Sequence, residues 1–354
     1  MAKSDDVLDV MRGLPLPGGG DLVGRDMIRA LRVEGDLVSF VIEAPDAAAA
    51  KDLTQVRDAA EAAVRGLPGV ARAQIVLTAP AAKAAPAPKL KVGGHMKRDA
   101  GSMTPSGVDR ILAIGSGKGG VGKSTVASNL AVALARAGRR VGLLDADIYG
   151  PSQPRMMGVS KRPASPDGKT IIPLTSHGVT LMSIGLMLAE EKAVVWRGPM
   201  LMGALQQMMT QVEWGRLDVL LVDLPPGTGD VAMTLCQRSE VTGAVVVSTP
   251  QDVALLDARK ALNMFDVLKT PVLGLIENMS SYICPQCGYQ AHIFGEGGVR
   301  AEAERLGLPF LAALPISLET RLAGDAGVPV AAGSGPMAEA YATLADRFIG
   351  GGMA

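Results

Sequence analysis

The chain has 354 residues, of which 48% are apolar and 20% charged, a composition typical of folded proteins with about two domains. Its 35 basic and 35 acidic side chains balance and only 3% of residues are aromatic, which argues against a protein built to coat nucleic acid or an anionic membrane. Three cysteines exclude a disulfide framework. Since the sequence has neither a signal-peptide core nor an apolar run of about 18 residues, we expect a cytoplasmic protein.

Residues 1–78 are predicted to form a small α+β domain. A short helix comes first, followed by two alternating strands joined by a turn at Glu34-Gly35-Asp36. A long Ala-rich stretch then indicates a helix, with Asp46 as its N-cap and Gly66 at its end. A third strand at 70–78 completes the predicted domain.

Residues 79–108 are predicted to form a linker, and residues 109–354 an α/β domain. The linker segment is rich in Ala, Pro, Gly and Lys and shows no periodicity. After it, continuous apolar runs alternate with helical patterns, which indicates a parallel sheet covered by helices on both faces. The predicted strands are 110–116, 139–147, 217–225, 242–250, 271–279 and 308–315, and the predicted helices are 122–137, 199–212, 230–238, 252–265 and 296–307. Such sheets bind ligands beyond the carboxyl ends of their strands.

The segment from Gly117 to Ser124 fits the phosphate-binding pattern G-x-x-x-x-G-K-[ST], between a predicted strand and a predicted helix. In this pattern backbone N–H groups hold phosphates, the charge of Lys123 faces the β and γ phosphates, and the Ser124 hydroxyl binds Mg²⁺. Because we expect the loop to lie at the surface, Lys123→Ala is expected to leave the fold intact. The predicted nucleotide-binding residues of the loop are Gly117, Lys118, Gly119, Gly120, Val121, Gly122, Lys123, Ser124 and Thr125.

Four aspartates follow predicted strands of the same domain. Asp145 and Asp147 end the second strand, Asp223 ends the third, and Asp230 precedes a helix that it could simply cap. Carboxylates beside a phosphate loop suit metal and water handling, and Asp223 is expected to hold Mg²⁺ through water. The T-P-Q-D sequence at 249–252 lacks the lysine of the guanine-reading N-K-x-D loop, which favours ATP over GTP.

Cys284 and Cys287 form a C-x-x-C pair, whose two thiolates can bind one metal from a tight turn. From spacing alone, an iron–sulfur cluster, a zinc site and a redox dithiol all remain open. The chain has no second pair, but two copies in a homodimer supply four thiolates, the ligand set of a [4Fe–4S] cluster. Cys236, alone in a predicted helix, is expected to be a small buried apolar residue.

The position of Lys118 in the phosphate loop resembles the deviant Walker A ATPases, the family of MinD, ParA and the nitrogenase iron protein. The resemblance implies a homodimer with two nucleotides, in which Lys118 reaches the phosphates of the partner subunit. It also implies that Asp147 positions the attacking water and that Asp145 supports the Mg²⁺ shell. Asn278 resembles the asparagine that contacts the base in that family, with a simple turn former as the alternative.

Seven motifs then make the resemblance more specific. They occur in the order GKGGVGKST, DADIYGPSQPRMMG, WRGPM, DLPPGTGD, STPQDVAL, NMSSYICPQCG and IFGEGG, and together they resemble the Mrp/ApbC iron–sulfur carrier ATPases over about 109–345. The resemblance implies slow, Mg²⁺-dependent ATP hydrolysis by a homodimer and a [4Fe–4S] cluster bridging Cys284 and Cys287 of two subunits. Its implied partners are an assembly scaffold and the apoproteins that receive the cluster. Arg197 in WRGPM matches the family pattern, but the sequence assigns it no role.

The first domain resembles the small iron–sulfur assembly domain often fused ahead of these ATPases. It departs from that pattern because LPLPGGGDLVG replaces the acidic D-P-E turn and because residues 1–78 contain no cysteine. We therefore expect no cluster ligand there.

Three other functions stay open at this point. One is an electron-transfer reductase like the nitrogenase iron protein, although that family takes its two cysteine ligands per subunit from distant positions and not from C-x-x-C. A MinD- or ParA-like positioning ATPase would need a basic membrane helix or a basic DNA-binding surface, and neither the ending RFIGGGMA nor the zero net charge favours one. A zinc-containing P-loop ATPase would use the same two cysteines. We expect neither a membrane nor a nucleic acid as a partner.

Overall fold

A computed structural model describes residues 4–17, 19–45, 49, 52–78, 102–187, 198–227 and 229–354. It divides into two compact units, Met1–Ala87 and Pro88–Ala354. Most of the predicted linker, together with Asp46, Arg197 and Thr228, lies outside the described residues. The domain boundaries expected from the sequence stay a prediction.

The first unit is built on a three-stranded sheet. Its elements are α1 (Ser4–Arg12), β1 (Ile28–Glu34), β2 (Leu37–Glu43), α2 (Thr54–Arg65) and β3 (Arg72–Thr78). The strands β1 and β2 pair antiparallel, and β3 runs parallel to β2. Alternate residues of β2, namely Val38, Phe40 and Ile42, are buried with residues of both helices in one apolar core. This arrangement confirms the predicted small α+β domain.

The second unit holds a nine-stranded sheet. Its strands are β4 (Ile111–Gly115), β5 (Val141–Asp145), β6 (Leu174–Ser176), β7 (Val179–Ser183), β8 (Val219–Asp223), β9 (Gly243–Ser248), β10 (Val272–Ile283), β11 (Gln290–Ala291) and β12 (Phe310–Ile316). They lie in the order β11-β10-β9-β4-β8-β5-β7-β6, with β12 beside β10. Only β6 and β11 pair antiparallel among the described strands of this sheet. Every residue of β4, β5, β8 and β9 is buried, as expected for strands covered on both faces.

Helices cover both faces of this sheet. They are α3 (Lys123–Arg136), α4 (Gln153–Met156), α5 (Gly198–Thr210), α6 (Asp230–Arg238), α7 (Asp252–Val267), α8 (Gly298–Leu306), α9 (Leu318–Ala326) and α10 (Pro336–Gly350). One apolar core contains Leu205, Leu235 and Phe265 of α5, α6 and α7, and a second contains residues of α3 and α10. This arrangement confirms the predicted α/β fold class. In the described part of the chain, no helix is both long and apolar enough to span a membrane.

The strand ends that matter for function meet at one edge of the sheet. In the parallel ladder β5 and β8 pair Asp145 with Asp223, and β4 and β8 pair Ile114 with Asp223. The loop from β4 to α3 therefore begins beside two carboxylates.

Candidate nucleotide and metal-cluster site

The loop between β4 and α3 has the backbone that a phosphate-binding loop requires. Gly120 and Gly122 have φ angles of 82° and 81°, in the left-handed region that residues with a side chain rarely adopt. At Gly117 an added Cβ would collide with the backbone of Asp257 and Ala258 in α7. The glycines therefore let the loop turn and allow α7 to pack directly on it.

Lys123 is the first residue of α3, and its side chain points inward rather than into solvent. Its Nζ forms an ion pair with Asp223 Oδ1 and lies 3.3 Å from Ser124 Oγ. The exposed fraction is 6% for Lys123 and 0% for Asp223. The structure thus brings together the predicted phosphate lysine and two of the three predicted Mg²⁺ residues, Ser124 and Asp223. The loop lies at the surface as expected, with Gly119 and Gly120 exposed, but the Lys123 side chain at its end is buried.

Asp145 is fully buried, and protein donors engage both of its carboxylate oxygens. Its Oδ2 accepts hydrogen bonds from the backbone N–H of Gln153 (3.1 Å) and the hydroxyl of Ser183 (3.0 Å). Its Oδ1 accepts one from the N–H of Asp147 at 3.2 Å. Burial, together with the negative charge of Asp223, raises the pKa of Asp145 to about 7. These hydrogen bonds to Asp145 hold in place the chain that follows β5. A role of Asp145 in supporting Mg²⁺ stays a prediction.

Asp147 and Asp230 line one cavity of about 550 Å³, together with Tyr149, Pro226 and neighbouring residues. Asp147 is half-buried, and burial raises its pKa while the charge of Lys123 opposes the shift. Asp230 is exposed in the first turn of α6, where a negative charge suits the helix dipole. The water-positioning role expected of Asp147 stays a prediction.

Lys118 lies half-exposed on the loop, and its backbone carbonyl accepts a hydrogen bond of 3.0 Å from the Ser116 hydroxyl. This bond shapes the loop around a lysine whose side chain remains accessible. Its predicted action on a partner subunit stays a prediction.

Asn278 lies in β10 against the phosphate loop. Its Nδ2 donates to the backbone carbonyl of Val121 at 2.9 Å, and the side chain packs so closely on Gly122 that no Cβ would fit there. A cavity of about 770 Å³ opens beside these residues. Much of its wall is apolar and comes from residues that the sequence analysis did not single out, among them Pro315, Ile316, Leu318, Met337 and Tyr341. Such a cavity suits a nucleoside base.

The cysteine pair lies in the turn that joins β10 to β11. The N–H of Cys284 donates to the carbonyl of Tyr289, and the N–H of Gly288 donates to the carbonyl of Cys284, both at 2.9 Å. Cys284 is half-exposed and Cys287 exposed. Hydrogen bonds from the backbone N–H groups of Cys287 and Gln286 lower the pKa of the Cys284 thiol. This favours the thiolate, the form that binds metals.

The turn offers two thiols and little else for a metal. Within the ranges that the structure describes, no three His, Cys, Asp or Glu side chains are grouped to hold a metal ion. His292 lies 3.1 Å from the carbonyl of Ser280 through Nδ1 and 3.7 Å from a carboxylate oxygen of Glu296 through Nε2. Cys236 is half-buried in α6 against the apolar core, and burial raises the pKa of its thiol.

Comparisons with known proteins identify the family. Residues 107–349 match the model described as "NUBPL iron-transfer P-loop NTPase", and residues 4–85 match "Iron-sulfur cluster assembly protein". An iron-sulfur cluster carrier protein of Pseudomonas fragi is 51% identical over 242 residues, 67% of this chain and 84% of that protein. One from Synechocystis is 42% identical over 351 residues, 98% of this chain and 96% of that protein.

A solved structure is similar in fold and sequence. The nucleotide-binding protein of Archaeoglobus fulgidus, in complex with ADP and with cobalt, is 38% identical with a TM-score of 0.57. The match covers 65% of this chain and 90% of that one. The resemblance noted in the sequence is confirmed: the chain belongs to the Mrp/ApbC family of iron–sulfur cluster carrier proteins, which are ParA/MinD-like P-loop NTPases, and it carries an iron–sulfur assembly domain ahead of the P-loop domain.

Proposed function

We propose that the protein is a homodimeric, Mg²⁺-dependent ATPase that carries a [4Fe–4S] cluster and passes it to apoproteins. One observation carries the proposal. The strand β10 holds Asn278 against the phosphate loop and ends at Ile283, directly before Cys284. Nucleotide and thiolates would therefore act on the middle and on the carboxyl end of one strand. The names of the carrier relatives support an iron–sulfur cluster as the cargo.

The nucleotide half of the proposal rests on the donor set at the loop. Ser124 and Asp223 offer oxygen ligands on adjacent elements, as Mg²⁺ prefers, so the residues present fit the ion. Bound Mg²⁺ would supply positive charge beside the β and γ phosphates. Lys123 would exchange Asp223 for phosphate oxygens, while Asp147 would orient the attacking water. The ADP complex of the Archaeoglobus relative supports nucleotide binding by this protein.

Lys118 and the cavity beside Asn278 complete this half. Lys118 would reach the phosphates bound to the partner subunit, because its side chain stays accessible on the loop. The adenine ring would lie in the largely apolar cavity next to Asn278. We infer slow hydrolysis from the family resemblance.

The cluster half rests on the number and position of the thiols. A [4Fe–4S] cluster takes four thiolates, and each chain supplies Cys284 and Cys287 at an exposed turn. Two copies meeting at this turn would complete the ligand set. An assembly scaffold would supply the cluster and an apoprotein would receive it. The cytoplasmic location expected from the sequence stays a prediction.

A transfer assay tests the proposal. Anaerobically reconstituted protein is mixed with an apoenzyme that needs a [4Fe–4S] cluster for activity, in the presence of a chelator that captures free iron. We expect the apoenzyme to gain activity at a rate that differs with and without Mg²⁺ and ATP. Cys284→Ser protein should transfer nothing, and the matched control Cys236→Ser should behave as the wild type. Equal activation by chelated iron and sulfide alone would contradict a carrier function.

A further inference from the structure

Gln153, the first residue of α4, joins three parts of the nucleotide site. Its backbone N–H donates to Asp145 Oδ2 at 3.1 Å. Its side-chain Nε2 donates to the backbone carbonyl of Ser124 at 2.9 Å and to Asp223 Oδ2 at 2.8 Å. The residue is 0% exposed. One buried side chain therefore links the end of β5, the start of α3 and the end of β8.

The other end of this amide has no partner. Gln153 Oε1 is buried and accepts no hydrogen bond from any described residue. The orientation of the amide is fixed, because both groups at Nε2 are acceptors, a carbonyl and a carboxylate. A buried acceptor left without a donor destabilises the folded chain. Such an atom is explained if its donor arrives with a ligand.

The chemistry of the bound nucleotide and Mg²⁺ indicates which group could donate a hydrogen bond to Gln153 Oε1. Nucleotide phosphates at neutral pH are acceptors and cannot donate to Oε1. The ammonium of Lys123 already contacts Asp223 Oδ1 and Ser124 Oγ, and its role lies with the phosphates. Mg²⁺ in nucleotide sites keeps several of its waters, and these waters donate hydrogen bonds. A metal-bound water is small enough to reach a buried amide oxygen.

We propose that Gln153 is a positioning residue of the metal–phosphate site, whose Nε2 fixes the Asp223 carboxylate and whose Oε1 accepts a hydrogen bond from a water of the Mg²⁺ shell. This inference rests on the nucleotide and Mg²⁺ site of the proposed function. When Lys123 turns to the phosphates, Asp223 loses the partner of Oδ1. The Gln153 amide then keeps Oδ2 in place beside Ser124.

The test compares nucleotide affinity with and without the metal. A fluorescent ADP analogue is titrated into the full chain in Mg²⁺ and in EDTA, and the ratio of the two dissociation constants gives the contribution of Mg²⁺. Gln153→Met keeps the approximate volume of the side chain and removes both polar ends. In this variant we expect the ratio of the dissociation constants in EDTA and in Mg²⁺ to fall by roughly 10-fold or more, because hydrogen bonds to charged groups are lost. Affinity in EDTA should stay within about twofold of the wild type.

Asn129→Leu is the matched control. Asn129 is another buried amide, on α3, and its Nδ2 donates to the carbonyl of Thr125 (2.8 Å) while its Oδ1 accepts from the N–H of Ala331 (3.0 Å). This variant loses hydrogen bonds without touching either carboxylate, so its melting temperature should fall while its Mg²⁺ ratio stays that of the wild type.

The outcomes distinguish a failure of the positioning role of Gln153 from a failure of the proposed function. An unchanged Mg²⁺ ratio in Gln153→Met, or an equal loss of affinity in EDTA, overturns the positioning role. A wild type that binds no nucleotide in either buffer overturns the proposed function instead. Should Gln153→Met not fold, Gln153→Ala replaces it, with the same expected loss of the Mg²⁺ ratio and the same overturning result.

Discussion

Replacing Lys123 with Met is expected to cost stability as well as nucleotide binding. Met keeps an unbranched stem and removes the ammonium, with its charge and its hydrogen-bond donors. The ammonium of Lys123 and the carboxylate of Asp223 form an ion pair with 6% and 0% exposure, and Asp145 lies opposite Asp223 in the sheet. Without the cation, a buried carboxylate loses its only positive partner among the described residues.

The magnitude follows from this burial. Removing one partner of a buried ion pair costs about 3–5 kcal/mol, because the other charge remains without compensation. Gln153 still donates to Asp223 Oδ2, so we expect a loss near the lower end, about 3 kcal/mol. The double variant Lys123→Met with Asp223→Asn leaves no unpaired charge, so it should be more stable than Lys123→Met alone.

Urea unfolding of the nucleotide-free protein measures these free energies. The fluorescence of Trp214, which is buried in the core of the P-loop unit, reports the transition. A Lys123→Met protein within about 0.5 kcal/mol of the wild type, or a double variant no more stable than the single one, would refute the reasoning.

Three further predictions concern the base, the dimer and a salt bridge. Asn278→Ala should weaken ATP binding by about 1–3 kcal/mol and reduce the discrimination of ATP from GTP, measured by competition binding. Unchanged discrimination would show that Asn278 has a structural role only. Lys118→Ala should lose ATP turnover, and mixing it with Asp147→Ala subunits should restore part of it; no recovery in mixed dimers of confirmed mass argues against action across the dimer. The guanidinium of Arg259, with that of a second arginine, lowers the pKa of Glu302 to about 2 from its ordinary 4.5. The folded protein thus stabilises the ionised form of Glu302, so Glu302→Gln should lower the free energy of unfolding by about 1 kcal/mol at neutral pH. Chemical unfolding should show that this difference disappears as the pH falls from 4.5 towards 2. A difference that persists near pH 2 would contradict the assignment.

The parts of the fold that follow local patterns could be predicted from the sequence. Continuous apolar runs predicted the buried central strands, and the glycine pattern predicted the phosphate loop. The strand β6 has three residues, too few for a periodic signal. The helix α10 was not predicted, although Met337, Tyr341, Leu344 and Phe348 recur at helical spacing and are buried.

The parts of the site that depend on tertiary packing could not be predicted in this way. Gln153 lies in a four-residue helix, and its partners come from the ends of two strands and from the first turn of α3. The inward direction of Lys123 likewise depends on the β8 carboxylate that it meets. The cavity wall near Pro315 and Leu318 comes from the end of β12 and the start of α9, far along the chain from the loop that it adjoins.

The most direct test of the carrier proposal is the iron and sulfide content per chain, measured with the native mass after anaerobic reconstitution. One cluster bridging two subunits predicts about two iron atoms per chain and a dimer. Cys284→Ser and Cys287→Ser should each abolish stable iron binding while nucleotide binding persists, and Cys236→Ser should retain the iron. A full cluster on a monomer, loss of iron in Cys236→Ser, or about one zinc per dimer without iron-dependent colour would contradict the bridging cluster.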